Sequence, residues 1–352
     1  MSNTETQPAV QRCGASPEGE AAPRVEVLTP RDVPLGGPRA MTVRRTLPQR
    51  ARSLIGAWCF ADHYGPDDVS VSGGMDVAPH PHTGLQTVSW LFSGEIEHRD
   101  SLGSHAYVRP GELNLMTGGH GISHSEVSTT RTTILHGVQL WVALPEAHRH
   151  TDRDFQHYVP SPIALPGNRA GGNQAAGDGA AGDGAAEGGA VADGPVGEVR
   201  VFLGSLAGDT SPVPTFSPLL GAEIILEPHA TVRLAIDPGF EHGVLVDRGE
   251  VRMADTLLNP AELGYLAPGN GTLELTNTTD STARMVLLGG TPFGEQIVMW
   301  WNFIGRSHED IAQAREDWMT GSRFGEVTGY DGDRLPAPEL PNMPLKPRGN
   351  AR

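Results

Sequence analysis

Apolar and polar residues alternate along most of this chain in short runs cut by Gly and Pro, the pattern of strands with one face buried and one face wet. A strand is predicted from Val25 to Leu28. A first block follows, with strands over Thr87–Phe92, Ala106–Arg109, Leu113–Met116 and Ile134–Leu144. A second block predicts strands over Arg200–Leu203, Glu223–Leu226, Thr231–Ile236, Gly243–Val246, Leu263–Leu266, Thr272–Thr276 and Arg284–Leu288. Many short strands at close spacing imply an all-β chain of barrels or sandwiches. One segment reads differently. Ser307 with Asp310 three residues on has the form of a capping box. Ile311, Ala314 and Trp318 follow at helical spacing, and Gly321 supplies a stop, so a short C-terminal helix is expected.

The alternation fails in three places, and these set the domain boundaries. Residues 1–23 are small and polar and are expected to form a disordered tail. Residues 161–197 collapse into Gly, Ala and Asp around AAGDGAAGDGAAEGG, which has almost nothing to bury and reads as a flexible linker. Residues 329–352 form a Pro-rich tail expected to be irregular. Residues 24–160 and 198–328 then remain as two domains of ordinary size, the helix counted with the second. The two blocks also resemble each other. GELNLMTGGHG (111–121) matches AELGYLAPGNG (261–271) at an offset of 150, and SGEIE (93–97) matches RGEVR (248–252) at 155. One repeat at this spacing means two copies of a domain, not a solenoid.

Composition narrows the function. Asp plus Glu total 42 against 26 Lys plus Arg, a formal charge of −16. Beyond the short Arg44-Arg45 and Arg50-Ala51-Arg52 region no basic cluster stands out, which disfavours direct nucleic-acid binding but leaves a protein partner open. The two cysteines, Cys13 and Cys59, lie in a polar tail and an apolar stretch, so a structural disulfide is not expected and Cys59 reads as a small buried hydrophobe. The N-terminal residues hold no apolar signal core, and no run approaches the roughly 18 apolar residues of a membrane span. A soluble, cytoplasmic protein without membrane contact is expected.

The candidate chemistry lies in histidines. Of 14 in the chain, eight fall between His63 and His136. In APHPHTGLQTVSW, His80 and His82 are two apart at the mouth of a strand, so both imidazoles point the same way if the segment is extended. They read either as half of a metal site or as a solvated turn. A second such pair, His124 and Glu126, stands in GGHGISHSEVS. Two strand pairs of this kind could converge inside a barrel on three imidazoles and one carboxylate. That donor set suits a first-row divalent ion and, lacking thiolate, does not suit a structural zinc cage. An octahedral ion held by four protein ligands keeps two open positions, as iron oxygenase sites do. The glycines of GGHG predict a tight turn ahead of His124.

HPHTGLQTVSWLFSGEIEHRDSLGS, PGELNLMTGGHGISHSE and VQLWVALP together resemble the pirin family of bicupins. The resemblance extends to RRTLP (44–48) and to GRSHEDIAQAREDWMTGSRFG, covering most of residues 25–327. It implies two tandem cupin (jelly-roll) β-barrels, the first carrying one metal ion, most often Fe(II), on His80, His82, His124 and Glu126, and the second degenerate. It also implies one of two functions. The chain is either a dioxygenase of the quercetin 2,3-dioxygenase type or a non-enzymatic, iron-dependent redox sensor or co-regulator that binds a protein partner. The enzyme would act on a flavonol-like small molecule and dioxygen, with Glu126 as the catalytic proton acceptor. This chain departs from its relatives at Gln86, where they carry Glu; Gln can hydrogen-bond but cannot act as a base.

Other polar and aromatic residues have plainer readings. The 150 offset puts His124 and Glu126 on Glu274 and Thr276, and the 155 offset puts His80 and His82 on Ala235 and Asp237, so the second block keeps no ligand set, with His242 alone nearby. His98 and Asp100 either orient a ligand or pair with solvent or backbone at a strand end. His120 reads as a turn residue, and His148, His150 and His157 as a solvated loop. Trp300, Trp301 and Phe303 read as core or interface packing.

Overall fold

The computed structural model of the chain describes residues 24–35, 41–169, 194–347 and 349. The tail predicted over 1–23 and the centre of the Gly/Ala/Asp segment lie outside the described residues. The described chain is mostly β, in two barrels, with one helix of length near the C-terminus.

The first barrel has a seven-stranded sheet ordered Asp154–Tyr158, Leu113–Thr117, Leu85–Ser93, Ile134–Ala143, Trp58–Asp68, Met41–Leu47 and Arg31–Leu35. Its four-stranded sheet is ordered Asp76–His82, Ile122–Ser128, Ile96–Asp100 and His105–Val108. In the second barrel the seven-stranded order is Glu26–Leu28, Leu263–Leu266, Glu241–Arg248, Ala283–Gly290, Leu219–Leu226, Pro195–Leu203 and Ile163–Pro166. Facing it is a five-stranded sheet of Asn168–Arg169, Ala230–Ala235, Thr272–Asn277, Val251–Met253 and Thr256–Leu258. Every predicted strand is present. Trp58–Asp68 was not predicted, because its first seven residues are all buried and offer no alternation to read.

Three segments sit elsewhere than their place in the chain suggests. Glu26–Leu28, expected with residues 24–160, pairs antiparallel with Leu263–Leu266 of the second barrel, Glu26 opposite Tyr265. It fills the edge position that Asp154–Tyr158 holds in the first. Ile163–Pro166, expected in the linker, pairs with Pro195–Leu203 and belongs to the second barrel too. The terminal helix, His308–Thr320, was counted with the second domain and lies against the first barrel. Its Asp310 accepts from Arg149 Nη1 at 3.1 Å, and just beyond it Arg323 Nε donates to the His120 carbonyl at 2.6 Å. The capping box is formed, Asp310 N–H donating to Ser307 Oγ at 3.1 Å, and Ile311, Ala314 and Trp318 are the buried face. The Pro-rich tail has no helix or strand among its described residues but is pinned down. Leu335 N–H donates to the Pro79 carbonyl at 2.9 Å, and Tyr330 Oη to Asp76 at 2.9 Å.

The barrels meet through their large sheets over a shared apolar core. Trp58, Val88, Trp90, Val138 and Leu140 pack there with Phe202, Leu219, Leu245, Val286 and Leu288. Trp58 Nε1 donates to the Leu220 and Gly289 carbonyls of the other barrel, at 3.0 and 3.2 Å. Trp300, Trp301 and Phe303 are buried in a cluster with the terminal helix, as packing residues. Cys59 is fully buried.

The interior of the second barrel is hydrocarbon. The Thr272–Asn277 strand stands where Ile122–Ser128 stands in the first barrel, and Ala230–Ala235 where Asp76–His82 stands. The residues there that face inward are Leu273, Leu275, Leu234 and Ile236, all part of one buried cluster with Met253 and Met285. The sequence offsets of 150 and 155 slip by one residue: Glu274 and Thr276 are half-buried, Ala235 and Asp237 are exposed, and all four lie on the outer side. The absence of ligands in the second barrel stands, but the residues that replace them are leucine and isoleucine.

Candidate metal centre

The two histidine-bearing strands lie side by side. Asp76–His82 pairs antiparallel with Ile122–Ser128, His80 opposite His124 and His82 opposite Ile122. His80 and His82 therefore share a face, as an extended strand requires, and His124 joins them across the ladder. The pair sits in its own strand, and Thr83-Gly84 turns the chain into Leu85–Ser93. Gly84 has φ +68°, and a Cβ there would overlap the Ile304 carbonyl, so the turn needs glycine. The expected turn ahead of His124 is present, with Gly119 at φ +48°.

His80, His82 and His124 are fully buried, and each offers one ring nitrogen to a common space less than 4.8 Å across. Their ring centroids stand 5.1 Å (His80–His82), 4.3 Å (His80–His124) and 5.0 Å (His82–His124) apart, and Nε2 of His82 lies 3.1 Å from Nε2 of His124. Burial pushes the His80 imidazole down to about 3, and burial with repulsion from its neighbours holds His82 and His124 well below the usual histidine range. At neutral pH all three present lone pairs. His80 Nδ1 is engaged with the Ala78 carbonyl at 2.9 Å, whereas its Nε2 is buried without a partner. A buried imidazole lone pair without a proton to accept suits a cation ligand, and the three histidines fit such a donor set.

Glu126 is fully buried nearby but is not within the three-histidine group. A bulge between His124 and Glu126 breaks the ladder, and the carboxylate accepts from Ser89 Oγ at 3.2 Å. It forms a second group with His124 and His98. His124 is the member the two groups share, and Glu126 stands in the second of them with His98.

His98 and Asp100 are not solvent-facing: both are buried, His98 opposite Glu126 and Asp100 opposite His124. His98 Nδ1 is 3.3 Å from His124 Nδ1, its Nε2 is 3.2 Å from Asp100 Oδ2, and its ring stacks on Phe155 at 4.7 Å. Asp100 Oδ1 accepts from the backbone N–H of Leu102 and Ser104, each at 2.9 Å.

The rest of the interior is polar in a band. Ser89 Oγ contacts Glu126 and, at 2.9 Å, Gln139 Oε1. Arg45 grips Asp62 through Nε (2.7 Å) and Nη2 (2.8 Å), both side chains buried, with the guanidinium 4.3 Å over Phe60. Phe60 stacks on Trp141 at 4.1 Å, and Trp141 meets His82 edge-on at 5.2 Å. Burial and the neighbouring Glu126 push the Tyr64 hydroxyl well above its ordinary range. Sequence reading missed Tyr64, Ser89 and Gln139. The signal available was a lone polar residue at every second position of an otherwise apolar strand, as in TVSWLF and VQLWVA.

Gln86 faces the other way. It shares parity with Val88 and Trp90, which pack between the barrels, while Ser89 points to the centre. Its Nε2 donates to Thr117 Oγ1 at 2.9 Å. A side chain at this position therefore points away from Glu126 and the three histidines. His120 stands in its turn, with Nδ1 3.1 Å from the Thr151 carbonyl. His148 and His150 are exposed; His157 is exposed as well, but lies on the Asp154–Tyr158 strand and not in a loop. His242 is buried in the second barrel with neither ring nitrogen partnered.

A further acid–imidazole cluster spans the barrels. Asp247 Oδ1 accepts from His63 Nε2 (2.8 Å) and His136 Nε2 (2.5 Å), and Oδ2 from Arg284 Nε (2.7 Å). Arg44 Nη2 approaches His63 Nδ1 at 3.3 Å. An imidazole that accepts at Nδ1 carries its proton on Nε2, so His63 is a donor to Asp247 and not a free ligand. Two guanidiniums beside it oppose another cation. The cluster is a hydrogen-bonded knot that ties one barrel to the other.

Comparison with known proteins follows this geometry. Residues 40–142 match the pirin family and residues 221–325 match the pirin C-terminal cupin domain. A Pseudomonas aeruginosa protein, assigned provisionally as a quercetin 2,3-dioxygenase, is 40% identical over 346 residues, 97% of this chain and 98% of that one. A pirin-like protein of Caulobacter vibrioides is 35% identical, covering 84% of this chain and 94% of its own. Among solved structures, a quercetin 2,3-dioxygenase from Acinetobacter baumannii superposes with a TM-score of 0.79 at 35% identity, covering 92% of this chain and 97% of that one.

Proposed function

The chain belongs to the pirin family of bicupins, and from that membership we propose that its first barrel binds one divalent metal ion, Fe(II), and works as a dioxygenase of the quercetinase type. The observation that carries this reading is the buried His80, His82 and His124 triangle with an unpartnered Nε2 on His80. His80, His82, His124 and Glu126 would hold the ion. When bound, such an ion supplies a Lewis-acid and redox centre at which an enolisable substrate and dioxygen can meet.

The chain's own residues supply the rest. Glu126 is the acceptor for the hydroxyl proton of a flavonol-like substrate, since it is the carboxylate nearest the triangle and Ser89 steadies one of its oxygens. Arg45 neutralises Asp62, so that acid is committed to its own ion pair. Phe60 and Trp141 form an apolar wall beside His82 that excludes water. The same reading places the protein in the cytoplasm, in keeping with the buried free thiol of Cys59. No described helix is long and apolar enough to cross a membrane.

The test is anaerobic loading with Fe(II), metal analysis, and oxygen uptake with quercetin and related flavonols. One equivalent of iron, lost in His82→Ala, with flavonol-dependent oxygen uptake lost in Glu126→Gln, is the expected result. Iron bound without turnover of any flavonol would defeat the dioxygenase reading. It would leave the iron-dependent sensor, for which a partner protein captured in only one oxidation state is the diagnostic result. Absence of metal binding would overturn both.

A further inference from the structure

His124 stands between two ring systems, and only one of its nitrogens can serve a metal. Nε2 lies 3.1 Å from His82 Nε2, on the side of the three-histidine space, while Nδ1 lies 3.3 Å from His98 Nδ1. Which nitrogen carries the proton is set from the far end of this chain of contacts. Asp100 is buried, and its Oδ1 is held by two backbone N–H groups, so its Oδ2 is fixed as an acceptor toward His98 Nε2 at 3.2 Å. In its neutral form His98 gives its Nε2 proton to this carboxylate and keeps a lone pair on Nδ1. His124 must then donate from Nδ1, and its Nε2 is left bare.

We propose that Asp100 and His98 form a two-link relay that fixes the tautomer of His124, so that His124 offers Nε2 to the metal. His98 is a positioning residue, since it acts through His124. The arrangement extends the common device in which a carboxylate orients a metal-bound histidine by accepting from its second nitrogen. Here a second imidazole is inserted between carboxylate and ligand. Its placement has a geometric reason: Asp100 is opposite His124 and His98 opposite Glu126 on the same strand pair, so the strand Ile96–Asp100 buttresses both members of the Ile122–Ser128 ligand pair. Stacking of His98 on Phe155 holds the ring in that plane.

The inference rests on the metal-binding reading, but half of its test does not need metal. The tautomer of His124 is read by long-range ¹H–¹⁵N NMR on the metal-free full chain, and Co(II) affinity is read by chelator competition. The variants are His98→Phe, which keeps a ring against Phe155, and Asp100→Asn, whose single oxygen stays with the two backbone N–H groups so that its NH2 faces His98 Nε2 as a donor. Wild-type His124 is expected to carry its proton on Nδ1. In His98→Phe that preference is lost and Co(II) binding weakens on the order of 10- to 100-fold, while Asp100→Asn reverses the preference and weakens Co(II) binding at least as much. Circular dichroism melts check that the variants fold. The relay is overturned if metal-free wild-type His124 is protonated on Nε2, or if folded His98→Phe keeps either the tautomer or the Co(II) affinity. If wild type binds no Co(II), the metal reading fails by itself, and the NMR result still decides the relay.

Discussion

The two barrels share a strand order and differ in what their walls enclose. In the first, the inward positions of the facing strands are His80, His82, His124 and Glu126, backed by a band of Arg45, Asp62, Ser89 and Gln139. In the second, the corresponding positions are Leu234, Ile236, Leu273 and Leu275, packed with Met253 and Met285. A cupin scaffold thus tolerates either filling. Hydrocarbon stabilises the barrel by burial alone, at about 25 cal/mol per Å². The polar filling costs desolvation at each group and holds together only where the groups pair with one another or with an ion. One barrel is filled with hydrocarbon, and the other gives up some of that stability to enclose polar groups.

The largest effect should come from exchanging the fillings. Leu234→His, Leu273→His and Leu275→Glu together would bury three polar groups without the pairs that support them in the first barrel, at roughly 1–3 kcal/mol each before the charge of the carboxylate is counted. Thermal unfolding should show loss of the second barrel's cooperative transition. A folded, metal-binding triple variant would mean that the scaffold, and not the surrounding shell, makes the site.

A smaller effect is expected from Arg45→Ala. It leaves Asp62 buried and unpaired, which typically costs about 3–5 kcal/mol. Urea unfolding of the metal-free protein measures it; a change below 1 kcal/mol would show that the polar band is solvated after all.

The smallest effect tests the second barrel's own buried acid. Burial raises Glu223 to about 7, against the opposing charges of Arg284 and Arg200. Its folded-state value lies above its unfolded one, so the folded chain holds a proton that the unfolded chain has released. Stability should therefore fall as pH rises from about 4.5 through about 7 and level off above. In Glu223→Gln that slope should be absent, giving a variant that gains on wild type as pH rises. Parallel melting curves for the two proteins across this range would refute the assignment.

Much of this was legible before any coordinates. The period-2 alternation located strands in both blocks, although Met41–Leu47, Ile96–Asp100 and Val251–Met253 alternate as well and were not read from it, and Ser307, Asp310 and Gly321 bounded the helix to its residues. The two i, i+2 pairs marked the site, because an extended chain puts such residues on one side whatever surrounds it. Alternation could not resolve Trp58–Asp68 or decide the bearing of Gln86. Where both faces of a strand are buried, parity says which residues point together but not which side holds the chemistry. Nor could it see that Glu26–Leu28 crosses to the other barrel, or that the terminal helix comes back to the first.

The sequence by itself determined the local facts: which segments extend, which residues share a face, and which donor atoms each face carries. Tertiary structure alone decided which strand lies beside which. That choice put His98 and Asp100 behind His124, turned Glu126 toward Ser89, and set Asp247 of one barrel between His63 and His136 of the other. The reason is physical. Strand formation follows from neighbours in the chain. Strand pairing is selected by the burial of whole faces across long sequence separations, and no local pattern encodes that selection.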